Sequence, residues 1–282
     1  MTTTWFTSDL HLGHQKVSEV RGFDNTDDHD LTVLSRIART LSKRDNLWIL
    51  GDLSAGGPVP QRRALEMIDG LADQLDINVH LVSGNHDTVH PLHRNSHKWI
   101  AAYDEVFDSV QPFARRKLAG RNLWLSHFPW RGGGDHTAVE RFDTVRLNDD
   151  GVSWLLHGHT HSNQRVDRAR RMIQVGVDAW DFEPVSIHTI EDIVREEDVP
   201  QVVSQGNGQE GEADMPIWKP KPRLNSCIEQ WSNCSEGEYN PSCCRFPKSC
   251  SCTIYSDDID PAHLEYPLPH EHTLAAWLER QR

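Results

Sequence analysis

An α/β domain is the architecture this sequence predicts, on three observations. Short apolar runs recur through the first 190 residues, each of a length that suits a buried strand. Five of these runs end in Asp, Asn or His, and two of the segments between them carry leucine and isoleucine at helical spacing. Strands alternating with amphipathic helices build a largely parallel sheet, which presents its chemistry at the carboxyl ends of the strands.

Taken in order, Trp5-Phe6-Thr7-Ser8 is expected as a strand that leads straight into Asp9-Leu10-His11. In extended chain residues i and i+2 share a side, so Asp9 and His11 are expected to converge on one point where a metal can take both. A helix follows from Asp28 to Ser42, where Leu31, Leu34, Ile37, Ala38 and Leu41 repeat with helical period and Asp28 and Asp30 are the candidate caps. Leu47-Trp48-Ile49-Leu50 is the second strand; it ends in Gly51-Asp52, the glycine allowing a tight exit. Pro58 and Pro60 break the next loop, and Gln61 to Leu75 is a second helix through Ala64, Leu65, Ile68, Leu71 and Leu75. Val79, Leu81 and Val82 mark a third strand, with Gly84-Asn85-His86-Asp87 on the loop at its end. Phe107 to Pro112 and Arg121 to Ser126 read as strands around the turn Ala119-Gly120, and the second of them delivers His127. Trp154 to His157 delivers Gly158-His159-Thr160-His161, while Arg171 to Val177 and Val185 to Ile190 are expected to close a second sheet.

The ordered set Asp9-x-His11, Gly51-Asp52, Gly84-Asn85-His86-Asp87, His127 and Gly158-His159-x-His161 resembles the calcineurin-like metallophosphoesterases, over roughly the first 190 residues. His14, Val175-Gly176-Val177-Asp178-Ala179-Trp180 and Pro184-Val185-Ser186 are similar to a branch of small bacterial and phage phosphoesterases, among them mycobacteriophage-type 2′,3′-cyclic phosphodiesterases. The resemblance implies a four-layer αββα sandwich with helices outside two packed sheets. It also implies two divalent metal ions, one on Asp9, His11, Asp52 and His161 and the other on Asp52, Asn85, His127 and His159, with Asp52 as the bridge. It gives His86 the task of stabilising the phosphoryl group or protonating the leaving oxygen, and Asp87 the task of fixing the His86 ring. Oxygen and imidazole ligands without thiolate suit Mn, Fe, Zn, Co or Ni. Two such ions about 3.5–4 Å apart lower the pKa of a shared water and bind the phosphoryl oxygens during in-line attack. In one respect the sequence departs from the family: the second motif runs on as Leu53-Ser54-Ala55-Gly56, without the further acidic or amide residue often found there. That departure touches no expected metal ligand but leaves the substrate wall near residues 53–57 open.

Other candidates keep two readings. His14 either meets a substrate phosphate or lines the rim; Trp130 either stacks on a nucleobase or packs in the core; Arg131, beside it and one of several arginines around the later motifs, either holds a phosphate or is an ordinary solvated arginine. His157 is expected in the core, and His29, His80, His90, His93, His97 and His136 as solvated or structural residues. No Gly-x-Ser-x-Gly, Gly-x-Gly-x-x-Gly or Walker-type stretch is present, and Gly132-Gly133-Gly134 reads as a rim loop. The formal net charge of -13 argues against a broad nucleic-acid-binding surface. The resulting expectation is a phosphodiesterase acting on small phosphodiesters or nucleotides. Its alternatives are a nuclease or phosphomonoesterase of the same fold, and a non-catalytic binding module.

Organisation changes along the chain. Residues 1–195 are expected to form the phosphoesterase domain, 196–225 a Gly-, Gln-, Glu- and Pro-rich linker, and 226–282 a Cys-rich tail. All six cysteines, Cys227, Cys234, Cys243, Cys244, Cys250 and Cys252, lie in that tail, near His263, His270 and His272. A structural zinc site, disulfides and disorder all remain open for it, since no Cys-x-x-Cys pair is present. Leu274 to Arg280 reads as a short amphipathic helix able to dock on the domain or on a second subunit of a homo-oligomer. No apolar run approaches the ~20 residues of a membrane span, and no basic and apolar leader is seen, so the expected compartment is the cytoplasm.

Overall fold

Why the chain folds as it does is clearest in its helices. The computed structural model describes residues 2–196, and the expected linker and Cys-rich tail lie outside the described residues. In chain order the elements are β1 (Thr4–Thr7), α1 (Gln15–Val20), α2 (Thr26–Thr40), β2 (Asn46–Ile49), α3 (Pro58–Leu75), β3 (Asn78–Val82) and α4 (Ile100–Asp104). They continue as β4 (Ser109–Gln111), β5 (Phe113–Leu118), β6 (Arg121–Ser126), β7 (Trp154–His157), β8 (Val166–Asp167), β9 (Met172–Gln174), β10 (Val185–Ser186) and α5 (Ile187–Glu196). Helix α2 starts two residues before the predicted point: its cap is Asn25, whose side chain accepts the Asp28 N–H. Asp28, expected as the cap, instead joins Asp27 in the first turn, where negative charge suits the helix N-terminus. In α3 the two prolines do not break a loop. They sit inside the first turn, where a missing N–H costs nothing.

The first sheet has the order β10-β1-β2-β3-β4 and the second β5-β6-β7-β9-β8. Strands β1 to β4 are parallel, as are β6, β7 and β9, so the loops leaving β1, β2, β3, β6 and β7 come off carboxyl ends. One face of the first sheet packs Leu47, Ile49, Val79 and Leu81 against Val33, Leu34 and Ile37 of α2 and Ala64, Leu65, Ile68 and Leu71 of α3. Its other face gives Phe6, Trp48 and Val82 to a core shared with Leu123, Leu125, Trp154, Leu156 and Ile173 of the second sheet.

Several expectations need correction. The turn Ala119-Gly120 is there, with both residues at positive φ as a two-residue hairpin requires, but it joins β6 to β5. The expected strand at Phe107 to Pro112 shortens to β4, which pairs with β3 in the other sheet. Val185–Ser186 pairs antiparallel with β1 and so extends the first sheet, while Ile187 onward turns helical and buries Ile190 and Val194 between the sheets. The two-period reading of Val185 to Ile190 failed because Val185, Ile187 and Ile190 also fit a helix entry. Finally, the four-layer expectation is met on one side. Among the described residues, the outer face of the second sheet buries Leu155 and Met172 under Trp130, which belongs to the segment between β6 and β7, and not under a helix.

Candidate metal centre

The five loops meet at one place. Asp9 N–H donates to Gly51 O, His11 N–H to Asp52 O, and Gly158 N–H to His127 O, which stitches the ends of β1 to β2 and of β6 to β7. Val177 N–H donates to Ser8 O, joining the two sheets at the same level. Two glycines make this approach feasible. A Cβ on Gly84 would strike Asp52 Oδ1, and one on Gly158 would strike Ser8 Oγ and Asp9 Oδ2.

All seven expected ligands line the cluster. Asp9, His11 and His161 bring ligand atoms within 4.8 Å of one another, and so do Asp52, His127 and His159. Asn85 Oδ1 lies 3.1 Å from His127 Nε2. Asp52 joins the two groups: its Oδ2 is 3.3 Å from His127 Nε2 and 3.7 Å from His11 Nε2, while its Oδ1 accepts the His86 N–H.

The route to convergence differs from the one expected. Strand β1 ends at Thr7, and Asp9 and His11 both have positive φ, at 59° and 49°. Asp52, His159 and His161 share that left-handed conformation. It costs an L-residue roughly 1–2 kcal/mol each, strain of the kind found where function requires a side chain to be re-aimed. Pleat alternation therefore does not bring Asp9 and His11 together; two left-handed residues do.

The ring tautomers carry the test of whether this cluster suits a metal. His127 Nδ1 lies 2.8 Å from Leu50 O, His11 Nδ1 3.3 Å from Ser54 O, His161 Nδ1 2.8 Å from Asp178 Oδ2, and His159 Nε2 3.0 Å from Asp135 Oδ2. Carbonyl and carboxylate oxygens only accept, so each of these nitrogens donates and the opposite nitrogen is the one turned to the cluster. Two pairs of such nitrogens face each other, His11 Nε2 and His161 Nε2 at 3.3 Å and His127 Nε2 and His159 Nδ1 at 3.2 Å. Imidazole nitrogens that converge with the Asp52 carboxylate and the Asn85 amide oxygen are a donor set that a cation can satisfy. The residues fit two divalent ions, and the oxygen and imidazole donor set is that of Mn, Fe, Zn, Co or Ni.

Charge agrees with that reading. Burial disfavours ionised Asp52, yet His127 and His86 beside it hold its carboxyl well below the ordinary range, so it is an anion. Burial disfavours charged His127, but Asp52 and Asp9 outweigh it and lift the ring to about 9, so negative charge gathers around Nε2 where a cation would sit. Burial pushes His159 down to about 3 and His11 well below its usual value, which keeps both as neutral donors.

His86 is half-buried, with its ring 5.3 Å from that of His11. Asp87 does not have the place expected of it. Its carboxylate accepts the backbone N–H groups of Asp52, Leu53 and Gly84, so it ties the second motif loop to the third, and burial and nearby Asp52 push it up to about 6. The His86 ring is fixed instead by Ala55 O, 3.2 Å from its Nδ1. This uses the very loop at which the sequence departs from the family pattern.

His14 caps α1 and stands at the rim, its ring 5.4 Å from His11 and 6.2 Å from His86. Trp130 is a core residue, 1 % exposed, with its indole N–H on Arg170 O; it cannot stack on a base. Arg131 is turned to Asp143, at 2.8 Å, and not to the cluster. Its neighbours are likewise spent on structure: Arg141 and Arg146 pair with Asp135, Arg165 lies over Trp180, and Arg171 pairs with Asp149. His157 is buried as expected, Nδ1 donating to Gly158 O. His136, expected as solvated or structural, lies 5.3 Å ring to ring from His159. Asp135, Asp178 and Arg21 were missed as site residues. Asp178 lay inside a stretch already singled out, while Asp135 follows three glycines with no periodic signal at all.

With this geometry in place, the comparisons decide the family. The family model for calcineurin-like phosphoesterases matches residues 2–163. The chain belongs to that family. It is thus a phosphoester hydrolase. The Gene 66 protein of Mycobacterium phage L5 is 42% identical over 190 residues, covering 64% of this chain and 88% of the relative. That of Mycobacterium phage D29 is 41% identical over 189 residues, covering 64% and 90%. A solved protein of unknown function from Aquifex aeolicus shares the fold, with a TM-score of 0.50 and 23% identity over 68% of this chain and 100% of its own. Among the described residues no helix is long and apolar enough to cross a membrane.

Proposed function

We propose that this phosphoesterase is a dinuclear metal-dependent phosphodiesterase of small phosphodiesters, with 2′,3′-cyclic nucleotides as the substrate class to test first. The observation that carries the reading is Asp52 Oδ2, set between His11 Nε2 at 3.7 Å and His127 Nε2 at 3.3 Å with a ligand group on either side. Asp9, His11, Asp52 and His161 would hold one ion, and Asp52, Asn85, His127 and His159 the other. When bound, the pair would supply an acidified water near neutral pH and counter-charge for the phosphoryl oxygens.

The chain's own groups do the rest. His86 keeps its Nδ1–H on Ala55 O, so Nε2 is the atom from which an imidazolium can hand a proton to the leaving oxygen. His14 Nδ1 accepts the Val17 N–H at 3.4 Å, which puts the neutral ring's proton on Nε2, a donor suited to a phosphoryl oxygen at the rim. A small substrate is favoured because the arginines near the later motifs are spent on structural pairs and the whole-chain net charge of -13, most of it carried from residue 191 onward, disfavours a polyanion.

The test is manganese-dependent hydrolysis of a chromogenic phosphodiester, followed by a screen of 2′,3′-cyclic, 3′,5′-cyclic and oligonucleotide substrates. Turnover that survives Asp52→Ala would overturn the reading, and preference for oligonucleotides would move it to the nuclease. Metal analysis of the full chain counts the ions. A third, released by thiol alkylation, would mark zinc at the cysteines of residues 226–282.

A further inference from the structure

Behind the metal cluster stands a second layer of charge, and it is split in two. His161 Nδ1 donates to Asp178 Oδ2, and Arg21 donates to both oxygens of that carboxylate, from Nε and Nη2 at 2.8 Å each. The same guanidinium donates from Nη2 to Asp9 O at 2.8 Å and from Nη1 to Leu10 O at 3.3 Å. Its side chain is 4% exposed. One residue at the end of α1 therefore grips the left-handed Asp9-Leu10-His11 turn and, 157 positions away, the carboxylate that orients His161.

Arg21 is itself held. Its Nη1 lies 2.9 Å from His29 Nε2, which must accept because a guanidinium only donates. His29 Nδ1 then donates to Asp30 Oδ1 at 2.9 Å, and the Asp30 carboxylate accepts Gly13 N–H. This ladder runs from α2 to His161 with each donor matched to an acceptor.

His159 leans on a different group. Its Nε2 faces Asp135 Oδ2, which also accepts from Arg146 Nη2 at 2.8 Å, while Arg141 Nη2 lies 3.3 Å from Asp135 Oδ1. Asp135 and Arg146 side chains are fully buried, and Arg146 also donates to Gly134 O and Arg141 O in the segment between β6 and β7. Asp135, His136 and His159 also bring ligand atoms within 4.8 Å of one another, but two guanidiniums already neutralise the Asp135 carboxylate, so its part is to support His159.

We propose that the two cation positions are wired separately: Arg21, through Asp178, is a positioning residue for the ion on Asp9, His11 and His161, and Asp135 for the ion on Asn85, His127 and His159. This rests on the dinuclear reading above. Partners behind ligating histidines commonly change metal affinity by about 10–100-fold, which is the size of effect expected.

The test uses the full chain, stripped with a chelator and titrated with Mn²⁺ by calorimetry and with Co²⁺ by its visible spectrum. Wild type should bind two ions. Arg21→Met should keep one tightly and weaken the other by about 10–100-fold. Asp178→Asn should weaken the same ion and leave the other alone, and Arg21→Met should weaken it at least as much, since Arg21 also holds Asp9 O and Leu10 O. Asp135→Asn should weaken the other ion, so that Arg21→Met with Asp135→Asn holds neither tightly. Two ions bound by Arg21→Met at wild-type affinity would overturn the proposal, as would a Arg21→Met, Asp135→Asn protein that still holds one tightly. Should Arg21→Met fail to fold, the near-isosteric Asp178→Asn carries the same expectation and the same refutation. A wild-type protein that binds fewer than two ions would overturn the dinuclear reading and this one with it, whereas two ions with unaffected variants would overturn this one alone.

Discussion

Asp9 and His161 stand on helices, through Arg21, His29 and Asp30, whereas His159 leans through Asp135 on the long segment that joins β6 to β7. The helical side sits beneath a core that α2 and α3 share with the first sheet. On the other side Trp130 and Leu147 of that segment, with Trp124 of β6, cover Leu155 and Met172. Similar ligands thus rest on unequal foundations. Elements with few buried apolar contacts open more readily, so the loop side of the cluster should be the one to loosen first.

Four changes break or sharpen this contrast, the largest first. Asp52 belongs to both sides. Asp52→Ala should remove both ions and lower turnover by about 10³-fold or more, measured by metal analysis and diester hydrolysis; retention of one tight ion would mean that the carboxylate is not shared. Gly158→Ala comes next, because the new Cβ would press on Ser8 and Asp9 while shifting His159. It should weaken both ions and lower turnover by less than Asp52→Ala does, and a variant with normal metal content would show that the loop can give way.

His86→Ala should spare both sides. Its ring is placed by Ala55 and not by a ligand, so metal content should hold while turnover falls about 10²–10⁴-fold; equal loss of both would refute its role in proton transfer. The smallest effect belongs far from either side. The Asp45 carboxylate accepts from Thr3 N–H, Ser42 N–H and the Trp5 indole, pinning the start of β1 to the turn before β2. Burial pushes its carboxyl up, and these three donors outweigh burial and hold it below the ordinary value. Asp45→Asn should cost about 1–3 kcal/mol in urea unfolding at neutral pH, with metal affinity unchanged. Because the folded-state value is depressed, that stabilisation is fully present above the unfolded carboxyl's value of about 4 and disappears as pH falls through the folded value. The gap between wild type and variant should therefore close in acid. A gap that widened there would reverse the sign of the argument.

The candidate ligands were legible as a group because each lies at or just beyond the end of an apolar run. Leu47 to Leu50 must be buried, so Asp52 had to emerge where the strand ends, and the same holds for Asn85 after β3 and His159 after β7. The buried faces of α2 and α3 were equally plain from their spacing. What misled was local ambiguity. Trp130 follows a ligand in sequence but lies in the core, and Asp87 follows His86 yet turns to the backbone of Asp52, Leu53 and Gly84.

By itself, then, the chain determined which side chains would be chemical and on which strand ends they would stand, because burial of short apolar runs is a local property of the pattern. Only the tertiary structure decided how they are aimed. The left-handed turns at Asp9 and His11, and the pairing of Arg21 with Asp178 and of Asp135 with His159, join residues that no period relates. Such contacts arise when packed sheets bring loop ends together, and the electrostatics that orient each imidazole exist only after that packing has occurred.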